Sequence, residues 1–147
     1  MKNLDWEKLS FGYMPTDYNV RCYYRDGKWG EIEVCSDEYI KLHMAATSLH
    51  YGQEAFEGLK AYRCPDGKVR VFRMEENAAR LQSTCRGIMM PEVPTELFCE
   101  MVKKVVRLNQ EYIPTYESGA TLYVRPLLIG TSAQVGVHPA NEYLFLI

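Results

Sequence analysis

Tyr123 and Arg125 stand two residues apart in the run Thr121-Leu122-Tyr123-Val124-Arg125-Pro126-Leu127-Leu128. Strand alternation places them on one face with Thr121, and places Leu122, Val124 and Leu128 on the other, toward a core. A phenol and a guanidinium side by side can orient a carboxylate or fix another hydroxyl. The plainer alternative is a solvated outer sheet face. Pro126 has no ladder donor, so the strand is interrupted or lies at an edge there, where a pocket can open. Arg80 sits on a predicted helix, off its apolar stripe, where an arginine is ordinarily just solvated, although its planar five-donor head is what a phosphate dianion calls for. Between Ser48 and Tyr62 polar and aromatic side chains crowd around Gly52 and Gly58. This stretch reads as the lead-in to a strand, with Tyr51 packed against its neighbours. Lys60 is tested separately, because a desolvated lysine can condense with a carbonyl. Flanked by Leu59 and Ala61 and without an electrophile-binding loop nearby, it is assigned to structure or solvent. There is no G-x-S-x-G, P-loop, H-E-x-x-H or G-x-G-x-x-G.

The elements that must position these residues follow from periodicity and turn chemistry. Val20–Arg25 and Glu31–Cys35 read as a hairpin about Asp26-Gly27, after an irregular arm of seventeen residues. A second hairpin joins Glu54–Arg63 to Lys68–Phe72 around Pro65-Asp66-Gly67. A helix over about 75–87 buries Ala78, Leu81, Cys85 and Ile88, with Gly87 as its stop. Another over about 95–110 buries Leu97, Met101, Val105 and Leu108. Extended structure returns at 120–129, a loop spans 130–140, and Tyr143–Ile147 forms a buried strand. Strands, two helices, then strands argue for an α+β two-layer domain: a largely antiparallel sheet with the two main helices on one face.

Composition bounds the function classes. The 147 residues are 47% hydrophobic and 24% charged, with 17 basic and 19 acidic side chains and a net charge of −2. A chain of this size buries about 70% of its unfolded surface and supports a core without disulfides or metals. A slightly negative chain with no basic run beyond Lys103-Lys104 offers nothing to nucleic acid or anionic membranes. No apolar stretch approaches a membrane span of about 18 residues, and the amino end lacks signal-peptide character, so a cytosolic protein is expected. The 5 cysteines are scattered and read as reduced thiols; the 3 histidines are too dispersed for a metal cage. The apolar run at Tyr143–Ile147 is an unusual place for a chain to stop, and points to a boundary within a larger structure.

The segment from Ala46 to Arg63 closely resembles the LHYG…FEGLKAYR signature of the branched-chain amino-acid aminotransferases, fold-type IV enzymes that use pyridoxal phosphate. Three further blocks match in order and spacing: Phe11-Gly12 through Thr16-Asp17, Asn77 through Arg80, and Leu122 through Pro126 followed by Ile129-Gly130. The likeness runs from about residue 5 to the end. It implies that residues 1–147 are the small amino-terminal domain of a two-domain enzyme. By position, Arg80 matches the arginine that holds the cofactor phosphate. Tyr51 and Tyr123 match tyrosines lining the substrate pocket, and Arg125 matches the arginine that fixes a tyrosine hydroxyl. Gln134-Val135-Gly136-Val137 resembles a loop reaching into the partner subunit's pocket, with Val135 and Val137 against the substrate side chain, so a homodimer is implied. The implied substrates are leucine, isoleucine and valine, with 2-oxo acids as partners. Pro15 departs from members with an aromatic residue before Thr-Asp, and no substrate contact is carried over to it. The family's cofactor-bearing lysine belongs to a following domain, and none of the 8 lysines here matches it. The chain therefore holds no catalytic residue, and alone is expected to be inactive and to bind cofactor weakly if at all. D-amino-acid aminotransferases and aminodeoxychorismate lyases share the architecture, but the Phe-Glu-Gly-Leu-Lys block argues against them. A stand-alone dimerising or binding module is the alternative from another class.

Overall fold

The computed structural model describes residues 2, 4–6 and 8–147. The expected irregular arm falls partly outside them, at Met1, Asn3 and Glu7. Its described part is tied down at Asp17, which accepts from the Tyr112 hydroxyl (2.7 Å) and pairs with Lys2 (3.2 Å). Strand β1 (Asn19–Arg25) reverses through Asp26 and Gly27, at φ of 52° and 75°. Two left-handed central residues give a turn whose twist matches that of antiparallel strands. The sequence predicts one return strand over 31–35; the structure breaks it into β2 (Lys28–Trp29) and β3 (Glu33–Cys35). Both pair with β1, but the register shifts by one residue between them, a bulge bridged by the bond from Gly30 N to Tyr23 O (2.8 Å).

The segment read as the lead-in to a strand contains a short helix, α1 (Thr47–Tyr51), stopped by Gly52 at φ 60°. Next come β4 (Glu54–Phe56), β5 (Leu59–Arg63) and β6 (Val69–Val71). The two long helices are α2 (Met74–Gly87) and α3 (Thr95–Leu108), close to their predicted bounds. Ala78, Leu81 and Cys85 are buried as predicted, but Ile88 is exposed. Past the helix it is Met89, not Gly87, that takes the left-handed conformation (φ 57°), while Met90 N reaches back to Cys85 O (2.9 Å). On α3 the buried face is wider than the predicted stripe and centres on Phe98, Met101, Val102 and Val105; Leu97 and Leu108 lie at its margin. The helix contacts both α2 and β1, so one narrow stripe would not cover both.

The chain finishes with β7 (Leu122–Val124), β8 (Leu127–Gly130) and β9 (Tyr143–Leu146). The fold is α+β, as expected, but with two antiparallel sheets rather than one. The larger runs β2-β1-β9-β8-β4, with β3 also on β1; the smaller runs β6-β5-β7. Both long helices pack on the larger sheet, α2 against β4 and α3 against β1. Between helices and sheet lies the core, where Phe98 stacks on Phe145 (5.8 Å between ring centroids). Strand β9 lies between β1 and β8, which explains why Tyr143, Leu144 and Phe145 are all buried.

Two of the predicted strands are each divided between the sheets. Residues 54–63 run through β4 and then β5, and 122–130 through β7 and then β8. Phe56 pairs with Leu127 and Leu59 with Val124, so a single antiparallel register continues across the break. The two strands bend together, with Glu57 and Gly58 opposite Pro126 and Arg125. Pro126 cannot donate to the ladder, which fixes the place of the break, while its carbonyl still accepts from Glu57 N (2.9 Å). This shared corner positions Glu57, Gly58, Tyr123 and Arg125.

The β5–β6 hairpin supplies a pH-dependent signal. Asp66 accepts two bonds from the Arg70 guanidinium (2.8 and 2.7 Å) and one from Lys68 N (3.1 Å). The Arg70 bonds first, then the backbone bond, lower its pKa from 3.8 to about 2. Because the folded value is the depressed one, the pair's contribution is complete above the unfolded value and disappears as pH falls through the folded one. A carbon-13 titration of the Asp66 carboxyl is expected to show its midpoint near 2; a midpoint near 3.8 would show that the pair does not form in solution.

Candidate functional site

Strand alternation at the corner directs Phe56, Gly58 and Lys60 to the same face as Leu127, Arg125 and Tyr123. Tyr123 and Arg125 do come together: Arg125 Nε donates to the Tyr123 hydroxyl (2.8 Å). The guanidinium also lies over the Phe56 ring (4.2 Å to the centroid), and Phe11 meets Tyr123 edge-on (5.1 Å). Such stacking holds a cation over aromatic faces while leaving its remaining donors free. Gly58 makes the arrangement possible, since a Cβ there would stand 2.8 Å from the Tyr123 hydroxyl oxygen. Lys60 is exposed in β5, opposite Tyr123, consistent with its assignment to solvent.

The next residue in the chain faces the other way. Glu57 shares the inward face with Ala55, Leu59 and Ala61, and its side chain is only 3% exposed. A buried carboxylate needs charged or hydrogen-bonding partners, and α2 supplies them. Arg80 Nε donates to Glu57 Oε1 (2.9 Å), a terminal nitrogen donates to Oε2 (2.6 Å), and Asn77 Nδ2 donates to Oε2 (2.9 Å). The bonds to Glu57, followed by the charge attraction of the same carboxylate, raise the Arg80 pKa further. The arginine itself remains 69% exposed. One edge of its planar head is occupied by Glu57 and the other is available. That donor set fits the phosphate of pyridoxal phosphate, which would find a fixed guanidinium with its unused N–H groups toward solvent.

Tyr51 closes α1, and its hydroxyl donates to the Val135 carbonyl. The loop carrying Val135 is strapped at both ends. Ser132 Oγ accepts from Asn141 N (2.7 Å) and Glu142 N (2.9 Å), and Gln134 Nε2 donates to His138 O (2.7 Å). Gln134 N also bonds Ala45 O (3.1 Å), which seats the loop beside α1. Val135 and Val137 nevertheless project outward, 72% and 87% exposed. The loop thus has a fixed backbone and two bare apolar side chains.

Sequence reasoning named Tyr51, Arg80, Tyr123, Arg125, Val135 and Val137 as site residues; it gave no role to Glu57, Phe56, Phe11 or Asn77, the last two being named only within matching blocks, and it did not single out Ser132, Asn141 or Glu142. A signal for Glu57 was present: alternation places an acid among inward apolar residues, which demands a buried partner. Its identity was not readable, because Arg80 lies on another element. Among the described residues no group of three or more His, Cys, Asp or Glu could hold a metal ion, and no helix is long and apolar enough to cross a membrane. An open groove of about 700 Å³ along α3, lined by Glu96, Lys103 and Arg107 among others, shares no residue with the corner.

No family model matches the chain. It is 49% identical over all 147 residues to a branched-chain-amino-acid aminotransferase of Haemophilus influenzae. Over its whole length the chain is similar to branched-chain-amino-acid aminotransferases. It spans about two fifths of that relative's length, 43%. Two solved structures of aminotransferases of this kind share the fold. One, from Escherichia coli, superposes with a TM-score of 0.68 at 24% identity, over 90% of this chain and 40% of that one. The other, from Thermobaculum terrenum in its PLP form, gives 0.61 at 20% identity, over 90% of this chain and 39% of that one. The blocks around Phe56 and Tyr123 meet in the bent strand pair.

Proposed function

We propose that this chain is the small amino-terminal domain of a branched-chain amino-acid transaminase. In that enzyme the amino group of leucine, isoleucine or valine passes to 2-oxoglutarate. The observation that carries the reading is the corner itself. Within three consecutive residues, Phe56-Glu57-Gly58, it supports a phenol–guanidinium pair on one side and a carboxylate-held arginine on the other. Pyridoxal phosphate, when bound, supplies an aldehyde that accepts an amino group and a ring that stabilises charge at the substrate α-carbon. This chain's own residues bind and orient. Arg80 holds the phosphate by its free edge. Tyr51 and Tyr123 present phenol faces to an apolar side chain, and Arg125 holds Tyr123 in place. Val135 and Val137, bare on this subunit, reach the pocket of a second copy, which makes the homodimer part of the active site. A cytosolic location agrees with this metabolic role.

The 147 residues alone are inactive in this reading, because the lysine that carries the cofactor lies in a following domain. Leucine and 2-oxoglutarate incubated with the purified chain and pyridoxal phosphate are expected to yield no glutamate, whereas the whole enzyme yields it. Glutamate formed by the isolated chain would overturn the division of labour. Absence of turnover of all three branched-chain amino acids by the whole enzyme would overturn the substrate class.

A further inference from the structure

Glu57 is the one carboxylate among the described buried polar residues, and it makes none of the proposed substrate or cofactor contacts itself. It lies on the core side of the corner, accepts two bonds from Arg80 in parallel, and is braced by Asn77 one turn before Arg80 on α2. An arginine that is 69% exposed would otherwise sample many rotamers. Here the ion pair, anchored in a buried group, selects one.

We propose that Glu57 is a positioning residue that presents Arg80 to a phosphate monoester. The inference rests on the reading of Arg80 as the phosphate holder. The guanidinium is planar and has five donors. With Nε and one terminal nitrogen committed to Glu57, the fork left for an anion is the end formed by the two terminal nitrogens, adjacent to the edge that Glu57 holds. The carboxylate therefore stands to one side of that fork, and the rotamer entropy that phosphate binding would otherwise cost is already lost on folding. A glutamine at 57 cannot reproduce this. Its amide nitrogen would face a donor of Arg80 or Asn77, so the parallel pair would be broken while side-chain volume is kept.

The test uses the whole enzyme, stripped of cofactor and nitrogen-15-labelled at arginine, and follows the Arg80 Nε–H signal by NMR. The probes are inorganic phosphate, pyridoxine 5′-phosphate and pyridoxine, none of which carries an aldehyde that reacts with lysines. In the wild type the signal is expected to be protected from exchange, and to move with both phosphates but not with pyridoxine. Glu57→Gln is expected to lose that protection and to bind both phosphates about tenfold more weakly. Asn77→Ala, an alanine in a helix, removes only the brace and is expected to weaken phosphate about threefold; it carries the test if Glu57→Gln does not fold. A role confined to stability would lower the melting temperature and leave the affinity of the folded protein unchanged. Equal phosphate affinity in wild type and the folded variants, or tighter binding in Glu57→Gln, overturns the role of Glu57 alone. A wild-type Arg80 signal that ignores both phosphates overturns the reading of Arg80 itself.

Discussion

Gly130→Ala is expected to destabilise the chain by about 2 kcal/mol, read as a lower urea midpoint at unchanged slope. A Cβ at this position would collide with Thr47 Oγ1, and would stand 2.9 Å from Gln53 Oε1 and 3.2 Å from Ala140 Cβ. None of these can yield cheaply. Thr47 is 1% exposed in α1, and β-branching leaves it few rotamers. Gln53 Oε1 accepts from Ala140 N (3.1 Å), while its Nε2 donates to the Tyr143 hydroxyl (3.2 Å). Moving Gln53 would break the ties that hold β9 and the loop after β8 to the start of β4. The damage should therefore spread to the loop carrying Val135, visible as faster amide exchange at 131–142. Gly87→Ala is the internal control. It lies in α2 with nothing within 4 Å of a new Cβ, and alanine there should stabilise by about 0.5 kcal/mol. Equal effects of the two substitutions would show that crowding at Gly130 is not what sets its cost.

What the sequence made legible, and what it did not, follows from the range of each interaction. Helices α2 and α3 were readable because fourteen residues give several turns of apolar period. The turns at Asp26-Gly27 and in Pro65-Asp66-Gly67 were readable because left-handed positions select their residue types. The five-residue α1 was not, being too short for any period to emerge, although Gly52 marked its end. Pro126 revealed where the strand breaks but not that its partner bends with it; that depends on pairing between residues about 70 positions apart. The Tyr123–Arg125 pair was accessible from alternation alone. Arg80 was different: residue chemistry left it as a solvated arginine, and the phosphate-holding role proposed for it came from resemblance to a family. The contact that supports the proposal is with Glu57, 23 residues away on another element.

Gly58→Ala is expected to leave folding almost untouched and, in the transaminase proposed above, to lower kcat/KM roughly tenfold to a hundredfold. The added methyl would meet the Tyr123 hydroxyl oxygen at 2.8 Å, and Cε2 and Cζ at 3.3 and 3.4 Å. Unlike Thr47, these atoms are the far end of a side chain that can swing outward, so the strain is relieved by displacing the phenol. Gly58 is itself exposed and carries no left-handed torsion, which keeps the folding cost below about 1 kcal/mol. Displacement separates the hydroxyl from Arg125 Nε and draws the ring from Phe11, so the guanidinium keeps its stacking on Phe56 but loses the group it orients. Tyr123→Phe separates the two contributions, since it removes the hydroxyl and leaves the ring in place. If orientation by Arg125 is what matters, Tyr123→Phe reproduces most of the Gly58→Ala loss. If the ring's position against the substrate matters more, Tyr123→Phe is mild and Gly58→Ala severe. Gly58→Ala with full activity and unchanged Tyr123 ring signals would show that the corner tolerates a side chain there, and would remove Tyr123 from the site.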